Sequence, residues 1–389
     1  MVVAVIPTDT AAGRAELRGV SDAARRLGWE FETIDPASVG HGLSSFRPLL
    51  ARADGVVLRL YDSLRDGTLA SLGVPLVGLD TGSSGNEDVR EVCLAALWAS
   101  VLCDHRKVAE TAADELLATG RRCFAFVPML LRYPWTGARG RAFLSRIRAA
   151  GADARLYEPR TKWGWVEERN RLSRWLAELP RPFGVFAGND MLAKFTLDAC
   201  RSAGLDVPRD AAIVGADDDE TLCLTATPPL SSVRIDFEGA GRRAAESLDS
   251  LIGRARPARM RIIRFGVLGV ARRGSTRATD SGADPRVAAG LDFIALHYAD
   301  PFLGVRDVAM AMGVGRRQAE RLFAASGKGV RTHIEEARLA KARDLLRSTT
   351  TPVGDVAHLC GFSQETYFSR LFRARHGLSP TQWRARQQS

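Results

Sequence analysis

Two stretches near the C-terminal end repeat one arrangement of residues that suits nucleic-acid chemistry. Val305-Arg306-Asp307-Val308-Ala309 leads to Gly313-Val314, then to Arg321-Leu322-Phe323 and Gly327. Val353-Gly354-Asp355-Val356-Ala357 leads to Gly361-Phe362, then to Arg370-Leu371-Phe372 and Gly377. Each copy reads as a short helix, a glycine turn and a second helix, which is the helix-turn-helix plan. The central alanine lets the two helices approach closely, and the glycine permits the tight turn. A second set of chemically capable residues lies upstream. Asp190 follows the apolar run Phe183–Ala187, and Asp217 follows Ala211–Gly215. Both then sit at carboxyl ends of parallel strands, where ligands bind in open α/β sheets. Asp9 and Asp62 follow earlier strand-like runs in the same way. Helix capping is the competing role for all four, and Asn189-Asp190 suits it well.

The elements that must position these residues change character along the chain. Over the first 270 or so residues, buried-strand patterns alternate with amphipathic helices. Val2–Pro7 precedes a helix over Ala11–Leu27, whose Leu17, Val20, Ala24 and Leu27 share a face. Gly28 is placed to end it. Further strands are expected at Gly55–Leu60, Val74–Leu79, Cys123–Val127, Phe183–Ala187 and Ala211–Gly215, with helices at Lys107–Leu117, after Trp135, at Val166–Leu179 and from Asn189 to Ala203. Runs that are apolar throughout, each followed by such a helix, imply parallel sheets covered on both faces. There are too many for one sheet, so two stacked α/β lobes are expected. The segment from Ala271 to Pro285 is rich in Gly, Ser, Thr and Asp and lacks periodicity, as a linker would. Beyond it only helical patterns remain. The expected division is 1–271, a linker at 272–284, and an all-α domain at 285–389.

Composition narrows the function classes. An apolar fraction of 46% is that of a globular protein. The apolar runs are too short to span a bilayer, and the first residues lack a basic n-region and a cleavage site, so a cytoplasmic protein without membrane attachment is expected. The six cysteines form no CxxC pair and fit no zinc spacing; reduced, buried thiols and no metal are expected. The net charge is +10 and uneven, with 16 basic against 9 acidic residues from Pro285 onward. Such a local excess is the footprint of a polyanion partner. No GxxxxGK[ST], HExxH or GxSxG motif occurs, so no enzyme and no cofactor are expected.

Residues Val305–Arg386 resemble the DNA-binding domain of the AraC/XylS family. The match runs through Asp355-Val356-Ala357, Gly361-Phe362-Ser363, Tyr367-Phe368-Ser369-Arg370-Leu371-Phe372 and Gly377-Leu378-Ser379-Pro380. The resemblance implies two recognition helices in successive major grooves of double-stranded DNA, about 10 bp apart. The first would span Gly315–Ala324, with Arg316, Arg317, Glu320 and Arg321 as candidate contacts. The second would span Gln364–Arg375, with Gln364, Glu365, Thr366 and Arg370. Arg can fork onto guanine and Gln onto adenine. Glu320, four residues after Arg316, suits a helix-surface ion pair as well as a cytosine contact. Arg373, Arg375, Arg384 and Arg386 suit phosphate or solvent. Gly315, where the family usually has a Ser cap, and Ala319, where a larger apolar residue is usual, depart from the pattern.

The α/β portion resembles the effector domain of LacI/GalR regulators and the periplasmic sugar-binding proteins. The ordered matches include Asp54-Gly55-Val56-Val57, Arg139-Gly140-Arg141-Ala142-Phe143, Gly188-Asn189-Asp190 and Val214-Gly215-Ala216-Asp217-Asp218. The fusion of both parts resembles the XylR-like regulators. This implies a two-lobed, periplasmic-binding-protein-like domain with a sugar-like effector, xylose or another, between the lobes. A homodimer and contact with RNA polymerase are further implications. Arg139, Asp190 and Asp217 are the leading ligand contacts, with Asp9, Asp62 and Trp135 behind them. Asp and Arg suit sugar hydroxyls, and a Trp suits a ring face. Trp135, Trp163 and Trp165 suit core or interface packing equally.

Overall fold

The computed structural model describes residues 1–36, 44–59, 71–80, 96–129, 133–160, 164–276, 284–349 and 351–388. The chain divides into two units, Met1–Ala226 with Leu230–Arg272, and Arg273–Ser389 with Thr227–Pro229.

Among the described residues, the first unit holds twelve strands in two six-stranded sheets. The strands are β1 (Val2–Val5), β2 (Phe31–Ile34), β3 (Gly55–Arg59), β4 (Leu76–Leu79), β5 (Ala99–Cys103), β6 (Cys123–Val127), β7 (Asp153–Leu156), β8 (Phe183–Ala187), β9 (Ala211–Ala216), β10 (Ser231–Ile235), β11 (Arg261–Phe265) and β12 (Val267–Ala271). The first sheet runs β11-β5-β4-β3-β1-β2 and the second β12-β10-β9-β8-β6-β7. All pairings are parallel except β10 with β12. The central strands are buried on both faces, which is why they read as unbroken apolar runs. The helices are α1 (Ala11–Leu27), α2 (Arg47–Leu50), α3 (His105–Leu117), α4 (Pro134–Ala149), α5 (Trp165–Ala177), α6 (Asp190–Ser202), α7 (Glu220–Thr225) and α8 (Phe237–Asp249). Gly28 closes α1 in the left-handed region at φ 67°.

The chain passes between the lobes three times, at Asp104, Asp236 and Gly266, and the crossings are hydrogen-bonded side by side. The Asp104 amide donates to Phe265 O (2.8 Å), and that of Asp236 to Gly266 O (3.1 Å). Both aspartates also cap the helix they enter, accepting from the amides of Lys107 and Gly239. This late strand exchange puts β11 in the first sheet and β12 in the second. The strand–helix alternation of the sequence did not disclose it.

The second unit is helical: α9 (Pro285–His297), α10 (Val305–Ala311), α11 (Arg316–Ala325), α12 (Val330–Ser348), α13 (Val353–Leu359), α14 (Glu365–His376) and α15 (Pro380–Gln388). Gly313 and Gly361 turn the chain at φ 64° and 81°. Two apolar cores result. Val308, Ala309, Ala319 and Phe323 pack with Val287 and Ile294. Val356, Ala357, Phe362, Phe368 and Phe372 form the other. Helix α12 belongs to both, giving Val330 and Ile334 to the first and Leu339, Ala342 and Leu346 to the second. Gly315 caps α11 without a side-chain bond, and Ala319 is fully buried. Of the expected linker, Arg272–Thr276 is described and includes a fully buried Ser275; 277–283 lies outside the described residues.

Candidate effector site and nucleic-acid interface

In the first unit, charged side chains at or near the carboxyl ends of strands from both sheets converge. Helix α1 carries Glu16, which is fully buried. Its place depends on a close crossing of α1 and α8. A Cβ on Gly19 would fall 1.9 Å from Glu238 O, and one on Gly241 2.0 Å from Glu16 O, so only glycine fits either position. Arg59, the last residue of β3, donates from Nη1 to Glu16 Oε1 (2.6 Å) and from Nη2 to Asp80 Oδ2 (3.4 Å). Asp80 Oδ1 lies 3.6 Å from His105 Nε2, at the start of α3. The His105 ring sits 6.5 Å from that of Trp135 on α4, and the Arg139 guanidinium lies 4.7 Å over the same indole. Arg139 donates to Gly188 O (2.5 Å) and to Asp217 Oδ1 (3.3 Å). One belt of contacts therefore runs from α1 across both lobes to the end of β9.

Electrostatics and strain mark the same belt. Burial pushes the Glu16 carboxyl up to about 7, against the opposing pull of Arg59. Burial likewise raises Asp190 and Asp217, the latter partly offset by Arg139. Among the described residues, the non-glycines with positive φ are Asp80 (45°), Asp217 (103°) and Asp218 (55°). Such conformations cost free energy and gather at functional sites. Three buried polar atoms in the belt have no hydrogen-bond partner: Glu16 Oε2, His105 Nδ1 and Arg139 Nε. Unpaired buried groups of this kind are unfavourable unless something else meets them.

The expected ligand contacts do not all fall together. Arg139, Asp217 and Trp135 lie in the belt. Asp190 lies behind it, 1% exposed, with Oδ1 accepting from Ser232 Oγ (2.6 Å) and Oδ2 from the Asp219 amide (2.8 Å). It anchors the strained loop that presents Asp217, while Asn189 does the capping of α6. Asp9 is exposed, just before α1. Asp62 and Trp163 lie outside the described residues. Trp165 stacks on Phe195 at 4.6 Å. Sequence reasoning missed Glu16, Arg59, Asp80 and His105. Glu16 and His105 sit within or at the start of helices, where a polar residue reads as surface.

In the second unit α11 and α14 hold their polar faces outward. Arg316, Arg317, Glu320 and Arg321 are exposed on α11, as are Gln364, Glu365, Thr366 and Arg370 at the start of α14. Arg316 Nε bonds Glu320 Oε1 (3.1 Å), the ion pair allowed for by their spacing. Glu365 leans back over α13, where a Cβ on Gly354 would come 2.8 Å from its Oε2. Arg370 lies 5.6 Å over the Tyr367 ring, whose hydroxyl donates to Glu335 on α12 (2.7 Å). Glu336 next to it accepts from Lys328 (2.8 Å) and pairs with Arg375 (3.2 Å). Arg338 donates to the carbonyls of Tyr298 (2.9 Å) and Asp300 (2.7 Å). The connecting helix thus bonds residues that flank the first copy of the motif and residues within the second.

Among the described residues no helix is long and apolar enough to cross a membrane, and no group of His, Cys, Asp and Glu is arranged to hold a metal ion. The periplasmic binding protein-like domain family matches residues 113–276, and a helix-turn-helix domain family matches 308–386. The xylose operon regulatory protein of Escherichia coli K12 is 28% identical over 338 residues, covering 85% of this chain and 83% of that protein. Its counterpart in Haemophilus influenzae is 26% identical over 289 residues, covering 73% and 74%. A solved structure described as the xylose-binding transcription activator xylR has the same fold, with a TM-score of 0.59 at 24% identity over 99% of this chain and 97% of that one. With its two-lobed domain, its paired helix-turn-helix motifs and this homology along most of its length, the chain joins a periplasmic binding protein-like domain to a C-terminal helix-turn-helix domain in the same arrangement as the xylose operon regulatory proteins it is similar to.

Proposed function

We propose that the protein is a cytoplasmic, non-catalytic transcription activator that binds a monosaccharide, with D-xylose the first candidate, in the cleft of its first unit. It then acts on DNA as a homodimer that engages RNA polymerase. The observation that carries the sugar reading is the belt joining both lobes, with hydrogen-bonding atoms left over and an indole beside them. Carboxylates and guanidiniums around an aromatic face are what a polyol needs. Xylose is put first because the relatives are xylose operon regulators. Arg139, Asp217 and Trp135 are assigned to the ligand, and Asp190 to positioning Asp217. Asp9 and Asp62 stand as weaker ligand candidates.

Base reading is assigned to Arg317 and Arg321 on α11 and to Gln364, Thr366 and Arg370 on α14. Arg316 and Glu320 act as a pair, and Glu365 steadies the start of α14. Ligand-driven closure about Asp104, Asp236 and Gly266 would favour one DNA-competent state over another. The test is isothermal titration of the full-length protein with D-xylose, beside sedimentation with and without sugar and DNA. Saturable binding and a dimer are expected. A monomer under every condition would remove dimerisation from the mechanism, and the absence of binding by any monosaccharide would remove the sugar.

A further inference from the structure

We infer that Glu16, Arg59 and Asp80 of the first lobe, together with His105 at the crossing into the second, form one half of the effector site and select an uncharged polyhydroxyl ligand over an acid or phosphate ester of the same skeleton. The inference rests on the reading of the first unit as a sugar sensor and adds which residues set its selectivity.

Stability alone does not account for the quartet. An arginine held between two buried carboxylates is generally no more stabilising than apolar side chains of the same volume. Here Glu16 is fully buried, and Arg59 is 15% exposed at the side chain. Asp80 is held at φ 45°, which adds strain. Nor is the quartet closed on itself. Glu16 uses Oε1 on Arg59 and leaves Oε2 unmatched, and His105 faces Asp80 with Nε2 and leaves Nδ1 unmatched. Across the cleft, Arg139 leaves Nε unmatched. These atoms form a set of one carboxyl oxygen, one imidazole nitrogen and one guanidinium N–H. A sugar hydroxyl can donate and accept at once, so a polyol satisfies all three.

Charge decides against an anion. Arg59 is already matched to Glu16 and Asp80, and Arg139 to Asp217 and the Gly188 carbonyl. The charge of each guanidinium is thus already balanced by a carboxylate, and the Arg139 Nε–H remains as a single hydrogen-bond donor, which a hydroxyl oxygen can meet. An anionic ligand would instead meet the carboxylates of Asp80 and Asp217 in a buried site, where like charges repel strongly. The raised carboxyl of Glu16 agrees with this, since a proton there lets it donate to a ligand oxygen as well as accept. His105 has a further role by position. It follows the crossing residue Asp104, so its contacts to Asp80 on one side and Trp135 on the other register whether the lobes have come together.

The experiment is calorimetric titration of the full-length protein with D-xylose, D-ribose, D-xylonate and D-xylose 5-phosphate, repeated on Glu16→Ala and His105→Ala. A neutral pentose should saturate, and the acid and phosphate should bind about 100-fold more weakly or not at all. Each variant should weaken the neutral sugar by about tenfold. Glu16→Ala leaves Arg59 with Asp80 alone; if it fails to fold, His105→Ala carries the test, because it leaves the Glu16–Arg59–Asp80 contacts in place. Neutral sugar binding at wild-type strength in folded variants overturns the assignment of the quartet while the sensor reading stands. Equal affinity for D-xylonate overturns the selectivity. No heat with any monosaccharide overturns the sensor reading itself, and the quartet's role with it.

Discussion

At the scale of single residues, Glu16 gives the sharpest prediction. Its neighbours in the cleft are Arg59, Asp80 and Asp217, and burial outweighs the attraction of Arg59, raising the carboxyl to about 7 from the usual 4.5. The native state therefore binds a proton between these values that the unfolded chain has released. Stability is then highest below about pH 4.5 as far as this group is concerned, and falls as pH rises through about 7, by up to roughly 3 kcal/mol. Glu16→Gln should flatten that slope, read as melting temperature across about pH 5 to 8; an unchanged slope would mean the carboxyl does not hold its proton. Arg370 poses a different question. If it reads a base, Arg370→Ala should weaken binding to a specific site by about 1–3 kcal/mol and leave random DNA nearly untouched. An equal loss on both duplexes makes it a phosphate contact. The two residues also differ in how legible they were. Arg370 stands in a repeated pattern whose spacing announces a reading helix. Glu16 lies between Ala15 and Leu17 in an ordinary amphipathic helix, and only the packing of α8 over that face buries it.

Elements explain why the site forms where it does. Helices α1 and α8 are more than 200 residues apart in sequence and meet through Gly19 and Gly241, where no Cβ can be placed. Gly241→Ala should force the helices apart and cost about 1–3 kcal/mol, with loss of effector affinity because Glu16 moves. A variant of wild-type stability and affinity would show the crossing to be more yielding than its geometry. In the second unit α12 is the element that counts. It lies in both apolar cores, and Glu336 and Arg338 bond groups that flank the first helix-turn-helix motif and, through Arg375, the second. Glu336→Ala with Arg338→Ala should reduce affinity for a two-half-site duplex far more than for a single half-site. Equal losses on the two duplexes would place the effect in one motif and not in the link. Much of this architecture could be read beforehand, because β1, β3, β6, β8 and β9 are buried on both faces and helices with apolar stripes follow. Strands β11 and β12 could not. Arg261-Ile262-Ile263-Arg264-Phe265 is largely exposed at a sheet edge, and its partner β5 is chosen by long-range pairing that leaves no local pattern.

For the whole molecule, the uneven charge and the two-unit division set the terms of regulation. Most of the +10 net charge lies in the helical unit, so salt should weaken DNA binding steeply while leaving sugar binding almost unchanged. The two activities then have separate physical handles, which makes their coupling measurable. If sugar and DNA bias one conformational equilibrium, thermodynamics requires equal effects in both directions. A saturating monosaccharide that tightens operator binding by some factor must itself be bound more tightly, by that same factor, when operator is present. Factors of about 5 to 150 are typical of such coupling. The measurement pairs anisotropy titrations of a labelled operator, with and without D-xylose, against calorimetry of D-xylose with and without the operator duplex. Matching factors above one support closure of the cleft as the switch. Factors of one in both arms would leave a sugar-binding unit and a DNA-binding unit sharing a chain without communicating. Unequal factors would point to a third linked equilibrium, for which dimerisation is the first candidate, and a dependence on protein concentration would identify it.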